Sequence, residues 1–132
     1  MSYTPAEDVA IAAMALKHGI DWRLLKALRQ TENGGPGREF GVLDGNAKDW
    51  TQQADEAART SRHTVGRSWK WLNADAWDDV GGMYTISFLS YFSRGGIGYA
   101  GYAPLGAAND PSGLNANHLH NLTSYYFGAA HA

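Results

Sequence analysis

The sequence predicts a single, mainly helical domain that also contains a small glycine-rich β-turn segment. Three observations predict this fold class. The 132 residues are 44% apolar and 18% charged, which is typical of one globular domain, here residues 1–132. Long stretches repeat apolar residues at helical spacing. Most of the 16 glycines lie in two segments, residues 34–45 and 95–113.

The chain contains no cysteine, which excludes disulfides, thiolate nucleophiles and cysteine-ligated metals.

Two helices are predicted at the start of the chain. The first runs from Pro5 to His18, because proline suits a first turn and Gly19 suits the end of a helix. Asp21 is expected to cap a second helix that ends at Thr31 or Glu32. Three basic residues of the second helix, including Arg29, are expected to lie largely off its apolar side. The predicted apolar positions of the two helices are Val9, Ala13, Leu16, Trp22, Leu25 and Leu28.

The rest of the chain alternates helical patterns with turn signals. Residues 33–45 hold five glycines and a proline, which predicts tight turns around a short extended piece at residues 39–43. A helix is predicted from about Ala47 to Asn73, with Gly66 as a point of division and small residues at 54, 57, 58 and 61 that allow close packing. Residues 84–94 fit a strand or a helix; we interpret them as a buried helix. A final helix is predicted over residues 114–127.

Charge and hydropathy argue against a nucleic-acid partner and against a membrane span. The net charge is −2, and residues 1–73 carry 10 basic against 9 acidic side chains, so neither half of the sequence has the dense basic character of a nucleic-acid binder. No apolar run approaches the length of a membrane span. The first residues lack the basic and apolar regions of a signal peptide.

Glu32 is the candidate catalytic residue. It follows Leu28 by four positions and Leu25 by seven, which continues the apolar side of its helix. Partial desolvation there, together with the negative end of the helix dipole, favours the protonated form of a carboxyl group. The glycines that follow expose bare backbone to which a polymer substrate can come close. The pattern therefore predicts an acid at the rim of a cleft.

Two segments resemble one enzyme superfamily. Residues 27–45, ALRQTENGGPGREFGVLDG, resemble the first motifs of soluble lytic transglycosylases and goose-type lysozymes, in which a helix ends at the catalytic Glu and a glycine-containing β-turn follows. Residues 101–122, GYAPLGAANDPSGLNANHLHNL, are similar to a segment of phage- and prophage-associated members. The resemblance implies an α+β lysozyme-like fold: a helical bundle whose glycine-rich segment lines a glycan cleft.

The resemblance also implies an activity, cleavage of the β-1,4 bond between MurNAc and GlcNAc in peptidoglycan. Glu32 is then the general acid and afterwards the base, and a lytic transglycosylase that forms 1,6-anhydro-MurNAc is preferred. The alternatives are a muramidase that uses water and a noncatalytic glycan-binding or virion structural domain. The expected place of action is the periplasm, the cell wall or a virion, with virion tail or lysis components as partners. No cofactor is expected.

Further site residues follow from this resemblance. Tyr102, with Tyr99 as second choice, is the counterpart of the tyrosine that contacts the catalytic Glu, and Asn33 stands where the family usually has Ser. Asn109 is expected to shape the second glycine-rich loop through an Asx turn beside the substrate. Arg38 is a candidate for substrate carboxylates. Substrate contacts are also expected at Gly34, Phe40, Gly41 and Val42.

A hydrolase normally needs a second carboxylate. Glu39, Asp44 and Asp49 are the candidates, and each also has an ordinary explanation: Asp44 in a turn, Asp49 in the first turn of a helix, and Glu39 as the partner of a surface cation such as Arg38. His118 and His120 are two positions apart and point to different sides of a helix, so no metal site is expected. Of the tryptophans Trp50, Trp69, Trp71 and Trp77, about one is expected at the cleft.

Overall fold

Helices make up most of the described chain, which confirms the mainly helical class. The computed structural model describes residues 5–42, 49–93 and 114–130. The helices are α1 (Pro5–His18), α2 (Trp22–Glu32), α3 (Trp50–Leu72), α4 (Ile86–Phe92) and α5 (Leu114–Ala130). A 3-10 turn (Asn73–Ala76) and an antiparallel hairpin of β1 (Trp77–Asp78) and β2 (Met83–Tyr84) connect α3 to α4.

Helix α2 lies between two apolar clusters. Leu24 belongs to a cluster that α2 forms with the end of α3, the hairpin, α4 and α5. Its neighbour Leu25 belongs to a second cluster, which α2 forms with α1, the start of α3 and Phe40. Both leucines are fully buried, so α2, like α3, contributes to both halves of the core.

A hydrogen-bonded network fixes the beginning of α2. Asp21 caps the helix by accepting from the backbone N–H of Arg23 at 3.0 Å, as predicted. The hydroxyl of Tyr126 on α5 donates to Asp21 Oδ2 at 2.9 Å and accepts from the backbone N–H of Tyr84 at 2.8 Å. Arg23 also donates to the carbonyl of Gly82 at 2.8 Å. These bonds tie α2 to the hairpin and to α5.

Burial sets the ionisation of the two tyrosines beside this cap. The pKa of Tyr84 is raised to about 12, chiefly by desolvation and less by Asp21, while Arg62 and Arg23 oppose the rise. Burial also raises the pKa of Tyr126. Both phenol groups therefore remain protonated well above neutral pH, and each hydroxyl can still donate a hydrogen bond.

Several predicted boundaries need correction. Helix α3 begins at Trp50 because Asp49 and Gln52 form a capping box, and it continues through Gly66 without a break. Ala47 lies outside the described residues. Tyr84 belongs to a strand of the hairpin, and the helix predicted over residues 84–94 occupies only Ile86–Phe92. The last helix continues to Ala130. The small residues Ala54, Ala57, Ala58 and Ser61 are buried, as their spacing predicted.

The predicted apolar side of α1 is wrong. Val9 is 76% and Leu16 85% exposed, whereas Ile11 and Ala15 are buried together with Glu7. Helix α1 is apolar on almost every side, so its pattern does not single out a face. The polar residue Glu7 decides the orientation because its partner, Arg29, lies inside the protein.

Arg29 is the second correction in this region. It was expected off the apolar side of α2, but it has no exposed surface. Its Nε donates to Glu7 Oε2 at 2.9 Å. A buried guanidinium is tolerated because a carboxylate neutralises it and accepts its hydrogen bonds.

None of the helices in the described residues has the length and hydropathy needed to cross a membrane.

Candidate active site

Glu32 is the last residue of α2. The helix ends there because Asn33 adopts the left-handed conformation (φ 43°) while its N–H donates to the carbonyl of Arg29 at 2.9 Å. The Glu32 side chain is 37% exposed. It therefore lies at the surface, at the rim of the core, and its carboxylate is accessible to solvent.

Asn33 supports the end of the helix instead of bonding the carboxylate. Its Oδ1 accepts from Arg29 Nη1 at 3.3 Å. Since Arg29 is itself held by Glu7, the residue that follows the candidate acid is linked to α1 through a buried ion pair. This bond gives Asn33 a structural role, and the role in catalysis that the resemblance implies for it stays a prediction.

The chain turns back sharply after α2. A Cβ at Gly34 would stand 1.8 Å from the carbonyl oxygen of Arg38, so only glycine fits at this position. Arg38 N–H donates to the carbonyl of Gly35 at 2.9 Å, and Gly41 N–H donates to the carbonyl of Arg38 at 3.0 Å. We call residues 33–42 the turn segment. The extended piece predicted at residues 39–43 is wrong for its described part, residues 39–42, which lies in turns and loop.

The turn segment brings bare backbone against the Glu32 carboxylate. Gly41 has a positive φ of 71°, and a Cβ added there would be 2.5 Å from Glu32 Oε2. The carboxylate therefore packs onto the Cα of Gly41, in space that any other residue would fill. The glycine-rich pattern predicts that a polymer substrate approaches this backbone, whereas the group that the structure places against Gly41 is the Glu32 carboxylate itself.

Gln53 of α3 holds the turn segment in place. Its Oε1 accepts from the N–H groups of Phe40 and Val42, both at 3.2 Å, and its Nε2 donates to the carbonyl of Val42 at 2.9 Å. The Gln53 side chain is fully buried. We did not single out this residue from the sequence. The available signal was its spacing: it precedes Ala57 and Ser61 by four and eight positions, so a long polar side chain shares the buried face of small residues.

His118 of α5 lies beside the candidate acid. Its Nε2 stands 3.5 Å from Glu32 Oε1, and its side chain is 33% exposed. The contact forms because α2 and α5 pack along much of their length. In the sequence this histidine stands out only as a possible metal ligand, because its partner Glu32 is far away along the chain.

The other carboxylates near the turn segment make structural hydrogen bonds. Glu39 is buried, and its Oε1 accepts from the N–H of Gly37 at 3.0 Å, instead of pairing with a surface cation. Asp49 Oδ1 accepts from the N–H of Gln52 at 2.8 Å as the cap of α3. Asp44 lies outside the described residues.

Of the remaining predicted site residues, some are described by the structure and others lie outside the described residues. Phe40 is buried, with Trp50 edge-on at a ring distance of 5.6 Å, so Trp50 is the tryptophan beside the turn segment. Val42 is half-buried, and Arg38 is exposed on the same segment. Tyr99, Tyr102 and Asn109 lie outside the described residues.

The described residues contain no group of three or more His, Asp or Glu side chains that could hold a metal ion. No protein-family model matches the chain, and no curated protein or solved structure matches it.

Proposed function

We propose that this chain cleaves the MurNAc–β-1,4–GlcNAc bond of peptidoglycan, with Glu32 as the reacting group. The observation that carries the proposal is the placement of Glu32: a solvent-accessible carboxylate at the end of a helix, packed onto the bare Cα of Gly41. The resemblance of residues 27–45 and 101–122 to lytic transglycosylases and goose-type lysozymes supplies the substrate.

In the proposed reaction, protonated Glu32 donates its proton to the glycosidic oxygen as the bond from that oxygen to C1 of MurNAc breaks. The GlcNAc hydroxyl leaves with this proton. The Glu32 carboxylate then removes the proton from the C6 hydroxyl of MurNAc, whose oxygen attacks C1 and closes the 1,6-anhydro ring. Glu32 ends protonated and ready for another cycle.

A transglycosylase is the preferred form of the proposal over a hydrolase. Water-dependent glycosidases use a second carboxylate at about 5–5.5 Å or 6.5–9.5 Å from the first. Of the three candidates, Glu39 and Asp49 each accept a backbone N–H bond and so have structural roles, and Asp44 lies outside the described residues. An internal hydroxyl as nucleophile needs no second carboxylate.

His118 is proposed as a positioning residue for Glu32. Its imidazole approaches Oε1 while Gly41 borders Oε2, so the two neighbours confine the carboxylate from both sides. Replacing His118 with Gln keeps a hydrogen-bonding group, whereas His118→Leu removes it. We expect His118→Leu to lower kcat more than it changes KM and His118→Gln to restore part of the loss.

The decisive experiment digests purified peptidoglycan and determines the masses of the released muropeptides. Wild type is expected to release products that end in anhydro-MurNAc, lighter by one water than reducing-end products, and Glu32→Gln is expected to release none. Glu56→Gln is the matched control, since it makes the same change in a carboxylate on α3 that pairs with Arg59.

Other outcomes of this digestion point elsewhere. Reducing-end products alone would identify a muramidase. Undiminished digestion by a folded Glu32→Gln variant would remove Glu32 from the chemistry, and the absence of any release by wild type would favour a noncatalytic glycan-binding or virion structural domain. The proposed place of action is the cell wall, reached in the periplasm or on a virion, with tail or lysis components as partners.

A further inference from the structure

Helix α3 carries a run of basic side chains with no acidic residue among them. Between residues 57 and 74 the sequence contains no acidic residue. Five other basic side chains, of which Arg59 also lies on α3, are used in ion pairs with carboxylates: Lys17, Arg23, Lys26, Arg29 and Arg59. Within the described parts of the chain, neither Arg62 nor Lys70 has a carboxylate partner in an ion pair.

These charges share one side of the helix. Arg62, His63, Arg67 and Lys70, which we call the cationic stripe, line a shallow groove together with Gly66. Positions 62, 66 and 70 follow one another at four-residue spacing, and 63 and 67 lie beside them. The stripe extends for about 12 Å along the helix, from the rise of about 1.5 Å per residue.

Gly66 forms a notch in the middle of the stripe. Glycine inside a helix costs about 1 kcal/mol relative to alanine, so its presence calls for a reason. Packing does not provide one, because an added Cβ would meet only Arg62 Nη1, at an ordinary contact distance of 3.6 Å. A ligand that must come close to the helix backbone between Arg62 and Lys70 would explain the glycine at position 66.

An aromatic ring borders the same groove. Trp69 is 41% exposed and, with Gly19, Val65 and Gly66, lines a second groove that shares Arg62 with the first. A half-exposed indole beside a guanidinium offers a flat face for a ring or chain of carbons next to a site for an anion. The two grooves therefore combine anion recognition with an apolar platform.

We propose that the cationic stripe binds the phosphodiester groups of an anionic polyol or sugar polymer attached to the cell wall. This identity of the ligand rests on the proposed function, which brings the chain to the wall. The stripe is remote from Glu32: Gly19 precedes α2, whereas Glu32 ends it about 16 Å further along the helix axis. Binding there would hold the protein on the wall without occupying the site of cleavage.

Charge density favours such a polymer over duplex nucleic acid. Duplex DNA presents one charge per about 1.7 Å, or about seven charges along the stripe, against three permanent cations and one histidine. A polyol phosphate polymer carries a single charge per repeat, which the stripe can match. The three carboxylates of Asp75, Asp78 and Asp79 follow soon after Lys70 in the sequence and would repel a longer, denser polyanion.

Binding of a synthetic glycerol phosphate oligomer, measured by titration calorimetry at two salt concentrations, tests the proposal. We expect the double variant Arg62→Ala/Lys70→Ala to weaken binding by at least about tenfold and to lower the slope of log Kd against log salt by about one per cation removed. Arg59→Ala is the control, because Arg59 lies on the same helix and pairs with Glu56. Gly66→Ala is expected to weaken binding several-fold while raising Tm.

Three results would overturn the proposal in whole or in part. Equal affinity of wild type and the double variant, with unchanged melting curves, removes the stripe as a binding site. If single-stranded DNA binds more tightly than a glycerol phosphate oligomer of equal charge, the ligand of the stripe is nucleic acid and not the proposed polymer. If Gly66→Ala binds the oligomer as tightly as wild type does, the ligand does not come close to the helix backbone at residue 66. Because this assay involves no cleavage, its outcome is independent of the muropeptide digestion.

Discussion

Glu7 and Arg29 form an ion pair that α1 and α2 close off from solvent. The distance from Arg29 Nε to Glu7 Oε2 is 2.9 Å, and the Arg29 side chain is fully buried. The same guanidinium bonds Asn33, which ends α2 immediately after Glu32. A residue in the first turn of the chain's first helix is therefore connected to the candidate active site.

Removing Glu7 alone should be costly. Glu7→Leu leaves the guanidinium of Arg29 buried without a countercharge, for which we expect a loss of about 3–5 kcal/mol in the free energy of unfolding, measured by urea denaturation. The double variant Glu7→Leu/Arg29→Met removes both charges and should recover most of this loss. A double variant as unstable as the single one would contradict the unpaired charge as the cause.

Gly41→Ala tests the packing of the candidate acid on bare backbone. The new methyl group would displace the Glu32 carboxylate, and alanine at a positive φ costs about 1–2 kcal/mol. We expect a modest loss of stability and, because a displacement of about 1 Å can cost about a hundredfold in rate, a large loss of muropeptide release.

Gly35→Ala is the control for this change. A Cβ at Gly35 meets no atom within 4 Å, and the residue lies in the same turn segment. Full activity of Gly41→Ala would show that the position of the carboxylate against Gly41 is not needed for cleavage.

Gln53→Leu keeps the size of a buried side chain and removes its hydrogen bonds. The N–H groups of Phe40 and Val42 and the carbonyl of Val42 lose their partner, and we expect a loss of about 2 kcal/mol, reduced to the extent that the turn segment opens to water. Activity should fall as well, because Gly41 lies between the two released residues. Denaturation curves and digestion assays measure the two effects, and a variant unchanged in both would contradict the role of Gln53.

The tyrosines beside Asp21 predict how stability changes in alkaline solution. In the unfolded chain Tyr84 releases its proton near its ordinary pKa of 10.0, whereas in the folded protein its pKa is raised to about 12. Between these values the folded state binds more protons, so stability falls as pH rises, by at most about 3 kcal/mol for this group. Tyr84→Phe should flatten that part of the pH profile of unfolding.

Tyr126→Phe separates hydrogen bonding from ionisation in the same network. It removes the donor to Asp21 and the acceptor for Tyr84 N–H, so we expect a loss of about 1–3 kcal/mol already at neutral pH. Tyr84→Phe should lose less there, because its stacking on Phe88 is kept. Equal losses for the two variants at neutral pH would contradict this division of roles.

Local signals were sufficient to predict the beginning and end of α2. Asp21 bonds its own helix, and the glycines after Asn33 follow directly, so both boundaries are encoded within a few residues. The contact of Glu32 with His118 could not be predicted, because it depends on how α2 packs against α5, far apart in sequence. The burial of Arg29 was missed for the same reason, since its partner lies on another helix.

The hairpin shows a different limit of sequence patterns. Each of its strands has only two residues, which is too short for an alternating pattern to be recognised. The side of α1 that faces the core could not be predicted either, because apolar residues lie on nearly every side of that helix and its orientation depends on ion pairs with other helices, such as that of Glu7 with Arg29.

The position of α2 between two apolar clusters has a consequence for unfolding. Leu24 and Leu25 are adjacent in sequence, yet each belongs to a different cluster. Loss of α2 would remove Leu24 and Ala27 from one cluster and Leu25 from the other, so it would weaken both at once. We therefore expect the protein to unfold in one cooperative transition, with the amide protons of α2 exchanging with solvent only through global opening.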